Sequence, residues 1–510
     1  MKVTFVYPDL IGSANYGGIS YLGIASLSSV LKKEGYNVSL LHVTQPLKKN
    51  KLIKILEDEK TDLVAFSSTT QMFGFVQQWS AWIKEETNKI PLIVGGIHPT
   101  LYPHQTLKDS CVDLCCIGEG EGAIVEVCQA LQEKTDVSEI SNLCGVWEGK
   151  TFFNPPRPLI ANLDDLPFPD RKIFNYQKLV DGRENTAFFM ASRGCPYDCS
   201  YCCNRALKLA SKNCNNWVRF RSVDNVIQEV QLETKNNPRI KRIVFYDDIL
   251  ALRKSWFSEF TKMYAKNIGM PFRCNMRADI LAKKGMASLL KSAGCWNVVI
   301  GLESGSDTVR SKILKKNISD EQIIKAGKEC KIAGMGLSTY NMLGIPGEDF
   351  SDILKTVKLN AKINANFMYA SIYYPFSNTD LYEVCRKKKM LTGRTAIDYV
   401  EETVLNFNKK ERARIIFVRN HFRFLVNSYR LISKLSAKKE KYVHNIFEKV
   451  LYSHLTSWMV FIPANWIFKK VRHSRLLSVI VTSIKAAAQR RRQRVLARKI
   501  ISNGMNMRNS

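Results

Sequence analysis

From Lys449 to its last residue the chain contains no aspartate or glutamate, against 13 lysines and arginines. That imbalance excludes a self-solvating acidic tail and points to an anionic partner surface. Histidine is scarce, seven in 510 residues, and none stands beside cysteines at a zinc-site spacing. The beginning, "MKVTFVYPDL", lacks a long apolar run followed by a small-residue cleavage site, so no signal peptide is expected. A cytoplasmic location follows, and with it 14 cysteines that are reduced thiols, metal ligands or core residues rather than disulfides. There is no internal repeat and no low-complexity tract.

What is present is uneven. The formal charge is +30 overall, but residues 1–150 carry −4, residues 186–375 carry +13 and residues 376–510 carry +21. A hydrophobic fraction of 45% with 10% aromatics is enough for packed cores. The length suggests about three domains.

Short apolar runs at 3–7, 38–43, 62–67, 91–96 and 112–118 read as buried parallel strands, alternating with helical stretches near 24–31, 73–88 and 121–134. This predicts a doubly wound, Rossmann-like or flavodoxin-like α/β domain over 1–142, with ligands beyond the carboxyl ends of its strands. Those ends carry "PDLIGSANYGG", "SSTTQ", "GGIHPT" and "GEGEG". Five of the sixteen prolines fall in 154–170, so 143–180 reads as an extended linker. A second series over 181–375 has strand-like runs at 187–192, 242–247, 271–276, 296–301, 336–343 and 367–373, each followed by a helix or loop. Six such units predict an open (β/α)₆ barrel with its chemistry at the C-terminal strand ends. Residues 376–510 are basic and helix-compatible throughout.

Directly after the first barrel strand comes "SRGCPYDCSYCCNR", four cysteines within nine positions. Cys195, Cys199 and Cys202 have the spacing C-x₃-C-x₂-C, which can aim three thiolates at one soft centre. Three cysteines on a four-iron cluster leave one iron free for another ligand. Adjacent residues cannot readily serve one cluster, so Cys203 reads as a packed thiol.

"RGCPYDCSYC" resembles the cluster loop of the radical S-adenosylmethionine (SAM) superfamily, with Tyr201 as the aromatic before the third cysteine. "FYDDIL" (245–250), "GLESGSD" (301–307) and "GIPGE" (344–348) resemble further segments of that core. The first domain, with "GGIHPT" and "GEGE", resembles the cobalamin-binding domain of the cobalamin-dependent branch. The resemblance covers roughly residues 1–375.

It implies a [4Fe–4S] cluster on Cys195, Cys199 and Cys202, whose free iron chelates SAM. One-electron cleavage of the sulfonium then gives a 5′-deoxyadenosyl radical that takes hydrogen from an unactivated carbon. Glu303, with Ser304 beside it, would hold the SAM ribose, and Asp247 or Asp248 its amino end. Gly344 and Gly347 would let the backbone approach. For cobalamin, Gly95, Gly96, Gly118 and Gly120 would allow backbone contact, with Glu119 on the same loop, and Ser67 and Thr69 would offer hydroxyls. His98 is given a loop or nucleotide-side role. No histidine lies in the Asp-x-His-x-x-Gly context that ligates cobalt in many cobalamin domains, so the lower face would be shielded from within 69–73.

The leading expectation is a C-methyltransferase that uses methylcobalamin. A non-methylating cyclase of the tetrapyrrole type is the alternative. An RNA methylthiotransferase, needing further cluster cysteines among Cys111, Cys115, Cys116 and Cys144, is the third reading. Expected partners are a small-molecule or lipid-like substrate and a flavodoxin or ferredoxin as one-electron reductant; nucleic acid is not expected. The nineteen uncharged residues 450–468 are interrupted by Pro463 and polar residues. With Trp458 and Trp466 beside basic clusters, they suit a segment lying in an anionic membrane interface.

Overall fold

Continuous apolar runs fold as parallel strands when both faces of a sheet are covered, and the first domain follows that rule. The structure is a computed structural model describing residues 1–10, 18–87, 89–211, 214–394 and 402–452. Strands β1 (Lys2–Pro8), β2 (Asn37–Val43), β3 (Leu63–Ser67), β4 (Leu92–Gly95) and β5 (Leu114–Cys116) are parallel. Two more, β6 (Leu143–Trp147) and β7 (Lys150–Phe153), add antiparallel at the edge, giving the order β2-β1-β3-β4-β5-β6-β7. The chain turns from one side of β1 to the other between β2 and β3, the switch point at which such sheets bind ligands.

One face of this sheet packs Phe5, Ala65 and Leu114 beneath the helices Leu22–Lys33 and Glu121–Glu133. The other packs Val64, Phe66 and Val94 against the helix Phe73–Glu86. The first of these helices ends at Lys33, and Gly35 takes φ +84°, a left-handed conformation that stops it.

The sheet therefore continues beyond residue 142, into part of the expected linker. The remaining linker is bound rather than loose: Asp170 accepts from Ser28 Oγ at 2.6 Å and pairs with Lys32, and Arg171 pairs with buried Glu229 at 2.6 Å.

The second sheet comprises β8 (Thr186–Phe189), β11 (Arg242–Phe245), β12 (Phe272–Met276), β13 (Cys295–Glu303), β14 (Gly336–Leu343) and β15 (Phe367–Ile372), parallel and in sequential order. All six match the expected runs. Between β8 and β11 a small antiparallel ladder pairs β9 (Ser192–Arg193) with β10 (Arg219–Phe220). Among the described residues helices pack on one face, where Phe189, Phe245, Phe272 and Ile300 join a single core. Ser319 and Gln322 form a capping box on the helix Asp320–Ile332.

The described residues divide into two compact units after Phe407, later than the expected 375/376. Within the second unit the helices Lys409–Ile432 and Ala437–Tyr452 pack together, with Tyr429 donating to Glu448 at 3.1 Å. Among the described residues no helix is long and apolar enough to cross a membrane. Residues 453–468 of the uncharged run lie outside the described residues.

Candidate functional site

A cavity of about 520 Å³ opens where the C-terminal ends of both sheets meet. Ser67, Gly95, Gly96, Gly118, Glu119 and Gly120 line it from the first domain, and Gly194, Asn204 and Asp248 from the second. Gly96 takes φ +105°, and a Cβ there would lie 2.8 Å from the Ser68 carbonyl oxygen, so only glycine fits this turn. Behind this turn, outside the lining, Thr69 Oγ1, Gln71 Nε2 and His98 Nε2 are buried without a hydrogen-bond partner. A cavity walled at the strand ends by glycine backbone, with the Ser67 and Thr100 side chains beside it, suits a large ligand with amide edges, and cobalamin fits.

His98 is not part of the lining. Its ring stacks on Phe73 at 4.0 Å, its Nδ1 lies 3.4 Å from Thr70 Oγ1, and burial pushes its pKa down to about 4. It is a neutral, packed imidazole.

Glu119 lines the cavity, but its carboxylate is already held. It accepts from Arg193 at 2.8 Å, Arg219 at 2.9 Å and the Ile160 amide at 2.8 Å. Burial would raise its pKa, yet the Arg219 and Arg193 guanidiniums prevail and hold it below the usual value. Arg193 also donates to Glu121 at 2.6 Å, and Glu121 accepts from Ser26 Oγ at 2.9 Å. Arg193 and Arg219 are directly paired on the β9–β10 ladder. The loop after β5 is thus clamped to the residue two before Cys195.

The cluster loop is fixed from several sides. Gly194 takes φ +88°, and a Cβ there would meet the Trp217 carbonyl at 2.3 Å. Ser200 donates from its amide to Leu314 at 3.0 Å and from Oγ to Ile313 at 2.6 Å. Cys199 is buried, and Cys195 and Cys202 are half-buried. The three thiols lie close enough to shift one another's titration.

Burial pushes the Cys195 thiol up to about 12, whereas Cys202 falls to about 7 because the Cys203 thiol donates to it. Cys203 is therefore a hydrogen-bonded neighbour of the third cysteine. Among the described residues no three such side chains converge as a single metal ion requires. Three thiols spaced on one loop fit an iron–sulfur cluster instead.

The two aspartates part ways. Asp247 is fully buried and accepts from the Ala191 amide at 3.0 Å and Ser192 Oγ at 2.5 Å, with burial raising its pKa to about 6. It braces the strand entering the cluster loop. Asp248 is exposed on the cavity wall, 3.2 Å from Asn204 Nδ2, which also lies 3.6 Å from Cys202 Sγ.

Glu303 sits at a register shift in β13 with φ +62°, and its Oε1 accepts from Lys316 Nζ at 2.9 Å and Tyr201 OH at 3.1 Å. Its Oε2 has no hydrogen-bond partner among the described residues. Ser304 is buried and donates to Glu348 at 3.3 Å. Glu348 in turn accepts from the Gly344 amide at 2.8 Å, and burial raises its pKa to about 8. Gly344 and Gly347, at φ +73° and +92°, make the turn around it.

Arg193, Arg219, Asn204 and Lys316 escaped the sequence reading. Their partners lie from 13 to 100 residues away, beyond any local motif. Of the first-domain cysteines, Cys111 is exposed and Cys115, Cys116, Cys128 and Cys144 are core residues; Cys115 and Cys144 face each other across β5 and β6, with weak bonds to carbonyls at 3.8 and 3.7 Å.

Two family models match, the B12 binding domain over residues 11–128 and the radical SAM superfamily over 190–359. An uncharacterised methyltransferase of Pyrococcus horikoshii is 27% identical over 72% of this chain and 79% of its own. An anaerobic magnesium-protoporphyrin IX monomethyl ester cyclase of Rubrivivax gelatinosus is 22% identical over 86% of this chain and 80% of its own. The radical SAM methyltransferase TsrM of Kitasatospora setae shares the fold with a TM-score of 0.62 at 17% identity, covering 78% of this chain and 77% of its own. With both domains on one chain, their strand ends meeting at one cavity and three cysteines on the loop after β8, the protein belongs to the cobalamin-dependent radical SAM enzymes.

Proposed function

We propose that this enzyme is a C-methyltransferase that methylates an unactivated carbon of a small or lipid-like molecule. The supporting observation is the shared cavity, in which the glycine loops of the first domain and the cluster-side residues Asn204 and Asp248 line one void. When bound, cobalamin, the cluster and SAM supply a transferable methyl group and a one-electron route to hydrogen abstraction.

The chain's own residues bind, orient and exclude. Cys195, Cys199 and Cys202 would hold the cluster, and the Cys203 thiol steadies Cys202. Asp248 would take the amino end of SAM, since Asp247 is committed to the backbone. Glu303 would offer its free Oε2 to the ribose while Lys316 and Tyr201 fix its other oxygen. Ser67, Gly95, Gly96, Gly118 and Gly120 would contact cobalamin, with Thr69 and Gln71 behind them. Glu119 acts as a clamp on Arg193, and His98 stays in the packing.

Methyl transfer is favoured over ring closure by the higher identity to the Pyrococcus horikoshii methyltransferase, 27% against 22% for the cyclase. Anaerobic incubation of reconstituted enzyme with methyl-labelled SAM and a cell extract tests it. A labelled product one CH₂ unit heavier than its precursor is expected; a product of unchanged carbon count would support the cyclase reading.

A flavodoxin or ferredoxin would deliver the electron. The basic segment after Glu448 would hold the enzyme at the cytoplasmic face of an anionic membrane, each basic residue near the surface contributing roughly 1 kcal/mol. Salt-sensitive flotation with anionic vesicles checks that contact, and protein that stays unbound at low salt refutes it.

A further inference from the structure

Strand residues alternate between faces, so those between the helix-packed positions of the second sheet stand on its opposite face. Register places Phe188, Val244 and Arg273 side by side on β8, β11 and β12, and Tyr340 beside Tyr369 on β14 and β15. Tyr246 follows β11 in the same alternation. These large side chains are not packed away: Tyr246 is 49% exposed, Tyr340 40% and Tyr369 48%. They pair among themselves, Phe188 edge-on to Tyr246 at 5.7 Å and Tyr340 to Tyr369 at 5.4 Å.

Arg273 stands within this aromatic wall, and Arg242, two residues before Val244 on β11, shares the face nearer the start of the strands. Arg273 is partly buried and makes no hydrogen bond or ion pair among the described residues. Its charge reaches the Tyr340 phenol, as do Tyr246, Tyr369 and Glu303, the last already paired with Lys316. The wall is continuous with the cofactor cavity, because Phe188 and Tyr246 line that cavity together with Asp248.

We propose that this face is the substrate chamber and that the substrate is an amphiphilic anion. Its apolar, planar body lies along Tyr246, Tyr340 and Tyr369, and its carboxylate or phosphate pairs with Arg273. The proposal rests on the radical SAM reading and names the substrate class for it. A partly exposed guanidinium without a protein partner is free to take a planar oxyanion through two parallel hydrogen bonds, in place of water. Aromatic faces favour flat apolar bodies, and a second cation at this position would be repelled.

The geometry also orients the molecule. Arg273 stands near the start of β12, whereas the cluster cysteines and Asp248 lie beyond the C-terminal strand ends. The anion therefore sits at the deep end, and the carbon that reacts belongs to the opposite end.

Binding of two probes to the full-length reconstituted holoenzyme tests this: 1-pyrenebutyrate, and its uncharged analogue 1-pyrenebutanol, followed by pyrene fluorescence. The acid should bind about ten-fold tighter than the alcohol. Arg273→Gln should erase that preference by weakening the acid alone, Arg273→Lys should keep part of it, and Tyr369→Ala should weaken both probes alike. Equal binding of acid and alcohol, no binding of either, or an unchanged preference in Arg273→Gln overturns the proposal. The comparison on the unaltered protein needs no variant, and retained cluster absorbance and cobalamin content in Arg273→Gln show that it has folded. Absence of bound cobalamin or cluster in the unaltered protein would instead strike the proposed function.

Discussion

Among the described residues the seven-stranded sheet is covered on both faces, and the six-stranded sheet on one. The first can therefore meet a ligand only at its strand ends, where Gly95, Gly96, Gly118 and Gly120 line the cavity. The second keeps a face for side chains, and there it sets tyrosines and Arg273. A large cofactor common to many enzymes is met largely through main chain, while the variable partner is met through side chains that can change without disturbing a core. The clamp of Glu119 and Glu121 on Arg193 joins the two modes.

The sharpest test of the division removes the one ligand set that depends on side chains outright. Cys195→Ala, Cys199→Ala and Cys202→Ala should each abolish cluster absorbance and iron after anaerobic reconstitution, while Cys203→Ala retains them. A cluster surviving in Cys199→Ala would sink the assignment. The clamp comes next. Arg193→Ala leaves Glu119 and Glu121 short of a cation in a largely buried setting, which should cost about 3 kcal/mol of stability by urea denaturation. A loss below about 0.5 kcal/mol would show that the domains are held by other means.

Gly96→Ala forces a Cβ against Ser68 and strains a left-handed backbone, at about 1–3 kcal/mol. Cobalamin affinity by titration should fall about ten-fold while the cluster remains; unaltered affinity would mean that the strand-end backbone is not the contact. The smallest effect is expected at His98. The Co(II) electron paramagnetic resonance spectrum should lack axial nitrogen splitting both in the unaltered protein and in His98→Ala. Splitting that disappears with His98 would contradict its packed position.

The barrel strands could be read from sequence because each is a short apolar run between turn residues, and parallel sheets demand such runs. The three cysteines could be read because a loop-borne cluster compresses its ligands into one stretch. β6 and β7 escaped because "LCGVW" and "KTFF" are short, and their edge pairing depends on the sheet already being there. The choice between Asp247 and Asp248 turns on which way each carboxylate points, and adjacent residues conceal that in sequence. Glu119 looked like a cofactor contact because it shares a loop with Gly118 and Gly120. Its true partners, Arg193 and Arg219, are 74 and 100 residues away.

That distance bears on how such a chain could be recombined. The join between the two domains does not reside in the connecting segment alone; it also crosses from the loop after β5 to the residue two before Cys195. A chimera that imports the first domain of a relative, however well spliced at its linker, inherits a foreign set of carboxylates facing Arg193 and Arg219. Only donors carrying acids at the positions of Glu119 and Glu121 would reseat the cluster loop, so this handful of charges works as a compatibility code between modules that fold by separate rules.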